Sequence, residues 1–200
     1  MAPSTTVPPG GSARSVIPHT FARAVEELRS VRPRNEIILT ELPAPQRLAP
    51  FAYALAGTVR PPKALPVEEV ADGRLILLYD PAGQEGWQGE LRLVTYVTAE
   101  LEPDLANDPL LPEVAWSWLT DALAAHAPEY TALAGTVTQT TSTRFGELAG
   151  PPAAADVELR ASWTPLGDRL AGHVTAWCEV LAATAGLPPP GVSALPTASG

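Results

Sequence analysis

The stretch from 73 to 101 constrains the fold of this chain more than any other. GRLILLYD and ELRLVTYVTAEL are runs of strand-forming residues, and PAGQEGWQG between them is dense in turn formers. Two such runs about a short Gly/Pro-rich loop predict an antiparallel hairpin. A hairpin at the centre of the chain predicts a sheet domain whose strands pair with their sequence neighbours.

The flanking segments extend that sheet and add helices. Phe21, Val25, Leu28 and Val31 recur at helical spacing and Pro33 stops the run, which predicts a helix over 20–31. EIILTEL (36–42) and FAYALAGTVR (51–60) read as strands. In the second, Phe51, Tyr53, Leu55 and Val59 share one face, and Ala52, Ala54, Ala56 and Thr58 the other. Asp108, Pro112 and Glu113 are helix-start signals ahead of a second helix at 112–126. β-Branched residues over 130–145 and clean alternation over 156–164 predict two more strands. Leu170, Val174, Trp177 and Leu181 stripe a last helix at 166–185. The order α-β-β-β-β-α-β-β-α predicts an α+β fold: two layers, a mainly antiparallel sheet of about six strands, and three helices. The domain is expected over 18–187. Residues 1–17 and 188–200, built of Pro, Gly, Ser and Thr without periodicity, are expected to be flexible tails.

Composition excludes more than it assigns. A single cysteine, Cys178, rules out an intrachain disulfide and a multi-cysteine metal site. No apolar run approaches membrane-spanning length, and the start of the chain lacks the apolar stretch of a signal peptide. A cytoplasmic protein is expected, without membrane contact. Twelve arginines against one lysine suggest a GC-rich genome. The net charge is −9, and it is uneven: residues 18–60 hold six arginines against four acids, whereas 61–129 hold three basic residues against thirteen acids. Such a chain repels phosphate backbones, so nucleic acid is not an expected partner.

The catalytic and cofactor motifs sought are not there: no nucleophile elbow, phosphate loop, dinucleotide fingerprint or zinc-protease helix. No cofactor and no metal are expected, and no catalytic residue is named. His19, His126 and His173 sit on three separate helices with no ligand spacing. His126 is read as a cation at a helix C-terminus, and Cys178 as a small core residue, about 140° around its helix from His173. Glu100, Glu102 and Asp104 alternate along a strand end and read as a solvated edge. Asp80, before Pro81, reads as a turn opener beside Glu85. The cluster RSVRPR, with Arg29, Arg32 and Arg34, suits the negative end of the first helix dipole.

Two features point to a contact surface. Trp116 and Trp118, two apart on a helix, diverge by about 200°, so one of them must meet another layer or a partner. Trp87 stands at the tip of a Gly-rich loop with little local core to join. If the apolar sets of the strands face the helices, Arg60, Arg92, Arg144 and Arg160 fall on the opposite face. Val94, Tyr96 and the threonines 136, 138 and 140 surround them. That face could receive an acidic partner, an anionic ligand or another copy of the chain. Trp87, Arg92, Trp116, Arg144 and Arg160 are the candidate contact residues.

FARAVEELRSVRPR, ELPAPQRLAPFAYAL, GRLILLYDPAGQEGWQGELRLVTYVTAELEP, DPLLPEVAWSWLTDAL, YTALAGTVTQTTSTRFG and VELRASWTPL together resemble an uncharacterised actinobacterial family, catalogued as domain of unknown function three thousand. The resemblance covers about 18–188. It implies a cytoplasmic bacterial protein and carries no catalytic residue onto this chain. The expected function is a non-catalytic protein-interaction or regulatory domain whose partner is another protein or a second copy, as in a homodimer. The alternative is an enzyme or small-molecule binder that holds an anionic ligand with the strand arginines and the 80–88 loop.

Overall fold

In the computed structural model, residues 17–60, 70–101, 108–148, 154–167 and 169–189 are described. The elements run α1 (His19–Ser30), β1 (Ile37–Leu42), β2 (Phe51–Val59), β3 (Ala71–Gln84), β4 (Gly89–Leu101), α2 (Leu111–His126), β5 (Tyr130–Ser142), β6 (Ala154–Pro165) and α3 (Ala171–Thr184). The α+β class and the element order are those read from the sequence. The tail segments 1–16 and 190–200 lie outside the described residues, as do Glu102 and Asp104. Three boundaries differ by more than two residues. β3 runs on to Gln84, through residues read as the start of the hairpin loop. β5 stops at Ser142, so Arg144 follows the strand, and α3 begins at Ala171 because Pro165 still pairs in β6.

All strand pairs are antiparallel, and the sheet order is β1-β2-β3-β4-β6-β5. The first four strands form a meander, as the hairpin reading requires. The expectation that strands pair only with their sequence neighbours fails once. β4 pairs with β6, and the chain crosses through α2 to lay β5 at the far edge before β6 returns between them. The reason is the helix: α2 buries its apolar side only by lying over the sheet, which carries the chain past one strand position before β5 starts.

The three helices share one face. Phe21, Val25 and Leu28 of α1, Ala115, Leu119 and Leu123 of α2, and Val174, Trp177 and Leu181 of α3 are buried in one core with Leu55, Leu75, Leu77, Leu93, Val97, Val157 and Trp163 from the strands. Each of the fully buried leucines there contributes roughly 1.5–3 kcal/mol by leaving water. Phe21, Phe51 and Tyr79 close one end of it, with ring centroids 5.7–6.1 Å apart. α3 lies close to the sheet because glycine admits it: a Cβ on Gly57 would sit 2.5 Å from Leu181 and 2.8 Å from Trp177. α2 meets β5 in the same way, the Trp116 ring standing over Gly135. Trp118 also packs against the core. Both tryptophan rings are therefore partly buried against the core, Trp116 among them. Two such rings on one helix are accommodated because α2 is flanked by both β5 and α3.

The basic cluster after α1 is structural. Arg29 makes a bidentate pair with Glu41 on β1, at 2.7 and 2.8 Å, and lies over the Tyr53 ring. Arg32 donates to the carbonyls of Arg29 and Val31. Arg34 pairs with Glu36 and donates to the carbonyl of Pro188. These pairs hold the Glu36 and Glu41 carboxyls below the usual range, each chiefly through its arginine hydrogen bonds.

Candidate functional site

With the helices on one side, the even-numbered residues of the central strands form the other side. The register places them in rows that cross the strands. One row reads Thr40–Ala56–Arg74–Tyr96–Arg160–Thr136 from β1 to β5. The next reads Ile38–Thr58–Asp72–Thr98–Glu158–Thr138. Beyond it, Glu100, Asp156 and Thr140 form a shorter acidic row. On the opposite flank Leu42, Ala54, Ile76, Val94, Ser162 and Ala134 form a small, largely apolar one. The face is thus striped: apolar, basic with a central tyrosine, acidic, acidic.

The basic stripe is ordered by its neighbours. The Arg160 guanidinium lies 5.5 Å from the centre of the Tyr96 ring, and its Nε donates to Glu158 at 2.7 Å. Arg74 projects on the other side of Tyr96, on β3, and is exposed. Burial and then the adjacent Glu158 carboxylate push the Tyr96 phenol above its usual range, so it stays a neutral donor. Between the basic and apolar stripes lies a shallow hollow of about 780 Å³, lined by Arg74, Ile76, Val94, Tyr96, Thr136, Arg160 and Ser162. Next to the hollow β5 bulges between Thr131 and Ala134, with Ala132 at φ 51°, and a bulge of this kind bends its strand.

Of the five residues singled out in the sequence, the structure places Arg160 on this open face. Arg92 points to the same side but is buried, at 8% exposure. Its Nη1 donates to the Ala132 carbonyl at 2.9 Å and to the Thr164 hydroxyl at 3.2 Å, and its Nη2 donates to Ser162 at 2.7 Å. Arg92 therefore staples the β5 bulge to β6, and at 8% exposure it offers little surface to a partner. Its burial follows from the bend, which folds the start of β5 over it. Arg144 lies outside the strand, exposed beside Phe145, and Arg60 follows the end of β2. Trp87 is half-buried in a 3-10 turn at the hairpin tip, where its carbonyl accepts the Thr164 hydroxyl. Asp80 opens that loop: one carboxylate oxygen accepts from the Ala82 amide and the other from the Gln84 side chain.

Sequence reasoning missed Arg74, Asp72 and Ile76. The run LILLY in β3 does not alternate, so its polar residues were not assigned to a face. The signal was the hairpin itself: a turn centred near residue 85 pairs 74 with 96 and 72 with 98, which is the register observed.

The strongest acid–base and nucleophilic groups serve the core. His173 is 2% exposed, its Nδ1 accepts the Trp163 indole N–H at 3.1 Å, and burial pulls its pKa down to about 4. Burial, with Glu179 adding, pushes the Cys178 thiol up to about 12. His126, in the last turn of α2, lies 2.8 Å from Glu179 on α3. Cys178 and Glu179 also border an apolar cleft of about 390 Å³ between α3 and the turn after α1. Among the described residues no group of three His, Cys, Asp or Glu gathers at metal-binding distance. No described helix is long and apolar enough to cross a membrane.

Fold and face together define a class: a two-layer α+β domain whose described residues cover one side of an antiparallel sheet and leave the other as a striped, charged surface. The chain belongs to the family described as Protein of unknown function (DUF3000), whose model matches residues 17–193. No curated protein and no solved structure matches it.

Proposed function

We propose that the chain is a non-catalytic protein-interaction or regulatory domain of the bacterial cytoplasm, and that it works through the open side of its sheet. The observation that carries this reading is the composition of that side. A plain solvent face carries scattered lysine and glutamate. This one carries an Arg–Tyr–Arg row, the arginine and aromatic types enriched where proteins meet, between a half-exposed aliphatic row and an acidic row that calls for opposite charge in a partner. Tyrosine and arginine lead among residues that anchor interfaces. The groups best suited to nucleophilic or acid–base work, Cys178 and His173, are buried away from that face, which favours binding over chemistry.

Photo-crosslinking tests the proposal. Benzoyl-phenylalanine in place of Thr98 on the open face, or of Glu26 on the exposed side of α1, is expected to separate the two surfaces in cells that make the protein. Crosslinks to a polypeptide from position 98 and none from 26 support the reading. Equal yields at both positions, or none at 98, refute it.

A second reading has one observation in its favour. The hollow between Arg74 and Arg160 has room for a small anion. Against it, Arg160 is engaged by Glu158 and an acidic row borders the site. A thermal shift with phosphate or citrate that is lost in Arg74→Ala would favour this reading.

A further inference from the structure

We infer that the occupant of the open face is a second copy of this chain, docked face to face about a two-fold axis that runs across the strands between the basic and the acidic rows. The inference rests on the interaction-domain reading and names its partner.

The argument is one of symmetry and register. A two-fold axis lying in the plane of an interface carries each row to the mirror distance on the other side of the axis and keeps its position along the row. With the axis between the two rows, the basic row of one copy lies over the acidic row of the other. Arg74 then meets Asp72 of the partner copy, and Arg160 meets its Glu158, because each pair shares a strand in the sheet. Tyr96 lies over Thr98. The same rotation sets the next rows against each other: Ser162 in the hollow lies under the partner's Asp156, Ala134 makes room for its Thr140, and Val94 lies under its Glu100, whose carboxylate stays at the solvated rim. Two twisted sheets pack in this aligned way in β-sandwiches.

A foreign partner fits less well. An acidic peptide drawn to the arginines is repelled by the neighbouring acids, and a basic peptide by the arginines. A surface with both stripes at the same spacing in opposite order satisfies both, and a second copy turned about this axis presents that surface. The area is adequate: three rows of six residues and one of three, each residue covering about 4.8 by 6.7 Å, give roughly 680 Å² per copy. That lies at the low end of what each partner gives to a stable interface, about 600–1,000 Å². An interface of that size fits a reversible dimer rather than an obligate one. The net charge of −9 opposes encounter at long range but is screened beyond about 10 Å at 0.1 M salt.

Charge reversal with mixing tests the geometry. Arg74→Glu/Arg160→Glu makes both rows acidic, and Asp72→Arg/Glu158→Arg makes both basic. In sedimentation velocity the wild type is expected to dimerise at about 100 µM, each variant alone to remain a monomer with its Kd raised at least tenfold, and the equimolar mixture to recover a 1:1 dimer. Recovery itself proves both variants folded. If either double variant fails to fold, Arg160→Glu alone is expected to weaken the dimer, and adding Glu158→Arg in the same chain to restore it. A wild type that stays monomeric at 200 µM, variants that dimerise as well as wild type, or a mixture that stays monomeric overturns the inference. A monomeric wild type whose position 98 still crosslinks to another protein overturns the second copy alone and leaves the interaction-domain reading intact.

Discussion

Lowering the pH from 7 to 5 should cost this protein about 2 kcal/mol through His173 alone. The imidazole is buried, accepts the Trp163 N–H through Nδ1, and has its pKa pulled down to about 4 from an ordinary value near 6.5. The unfolded chain therefore binds a proton at this site where the folded chain does not. Stability falls wherever the unfolded state holds more protons, so the loss begins as pH drops through about 6.5 and levels off below about 4. At pH 5 the unfolded site is almost fully protonated and the folded site about one-tenth, which gives the figure of about 2 kcal/mol. The Glu36 and Glu41 pairs act elsewhere: their carboxyl pKa values are depressed, so what they contribute is present above the ordinary value near 4.5 and is lost only below it. Urea unfolding at pH 7, 6 and 5 is the assay, with His173→Asn as the partner protein, since its amide oxygen can still accept from Trp163. The variant should be less stable at pH 7 but lose about 2 kcal/mol less than wild type between pH 7 and 5. The His126–Glu179 contact is common to both proteins and cancels. Parallel pH profiles, or an NMR titration that places His173 near 6.5, would refute the reasoning.

Other expectations follow from the packing. Arg92→Ala strands the Ala132 carbonyl and the Ser162 hydroxyl where the bulge is stapled and should cost about 2–4 kcal/mol, whereas Arg160→Ala, mostly in solvent, should change stability by less than about 1 kcal/mol; chemical denaturation of both measures the contrast. Gly135→Ala drives a Cβ to 2.3 Å from the Arg160 carbonyl and 2.7 Å from Trp116, and should lower Tm by several degrees in calorimetry, since overpacking costs about 1–3 kcal/mol. Cys178, buried and with its thiol pushed up to about 12, should resist a water-soluble disulfide reagent at pH 8 until the chain is unfolded.

Most of the architecture was legible because most segments state their period. FAYALAGTVR and DVELRASWT alternate, and the helices carry apolar residues at helical spacing, so faces and elements followed from the residues. What stayed hidden depended on long-range geometry. Nothing local tells β4 to pair with β6, because the choice is made by where α2 must lie. Arg92 looks like any outward strand residue, and only the bend at Ala132 buries it. Which layer seats Trp116 was not legible, because a glycine opposite it, in another element, is what makes room for its ring. The stripes on the open face needed the register of six strands at once; β3, whose run LILLY conceals its own alternation, was the strand that hid Arg74 and Asp72.

The open side of the sheet is most directly probed by cysteine labelling. Thr98→Cys and Glu26→Cys would each be exposed to a polar maleimide, first in the dilute pure protein and then inside cells that make it. Thr98→Cys should label freely when dilute and be protected in cells, while Glu26→Cys labels at the same rate in both. Equal labelling of the two positions in cells would contradict the claim that this face is where the protein is bound.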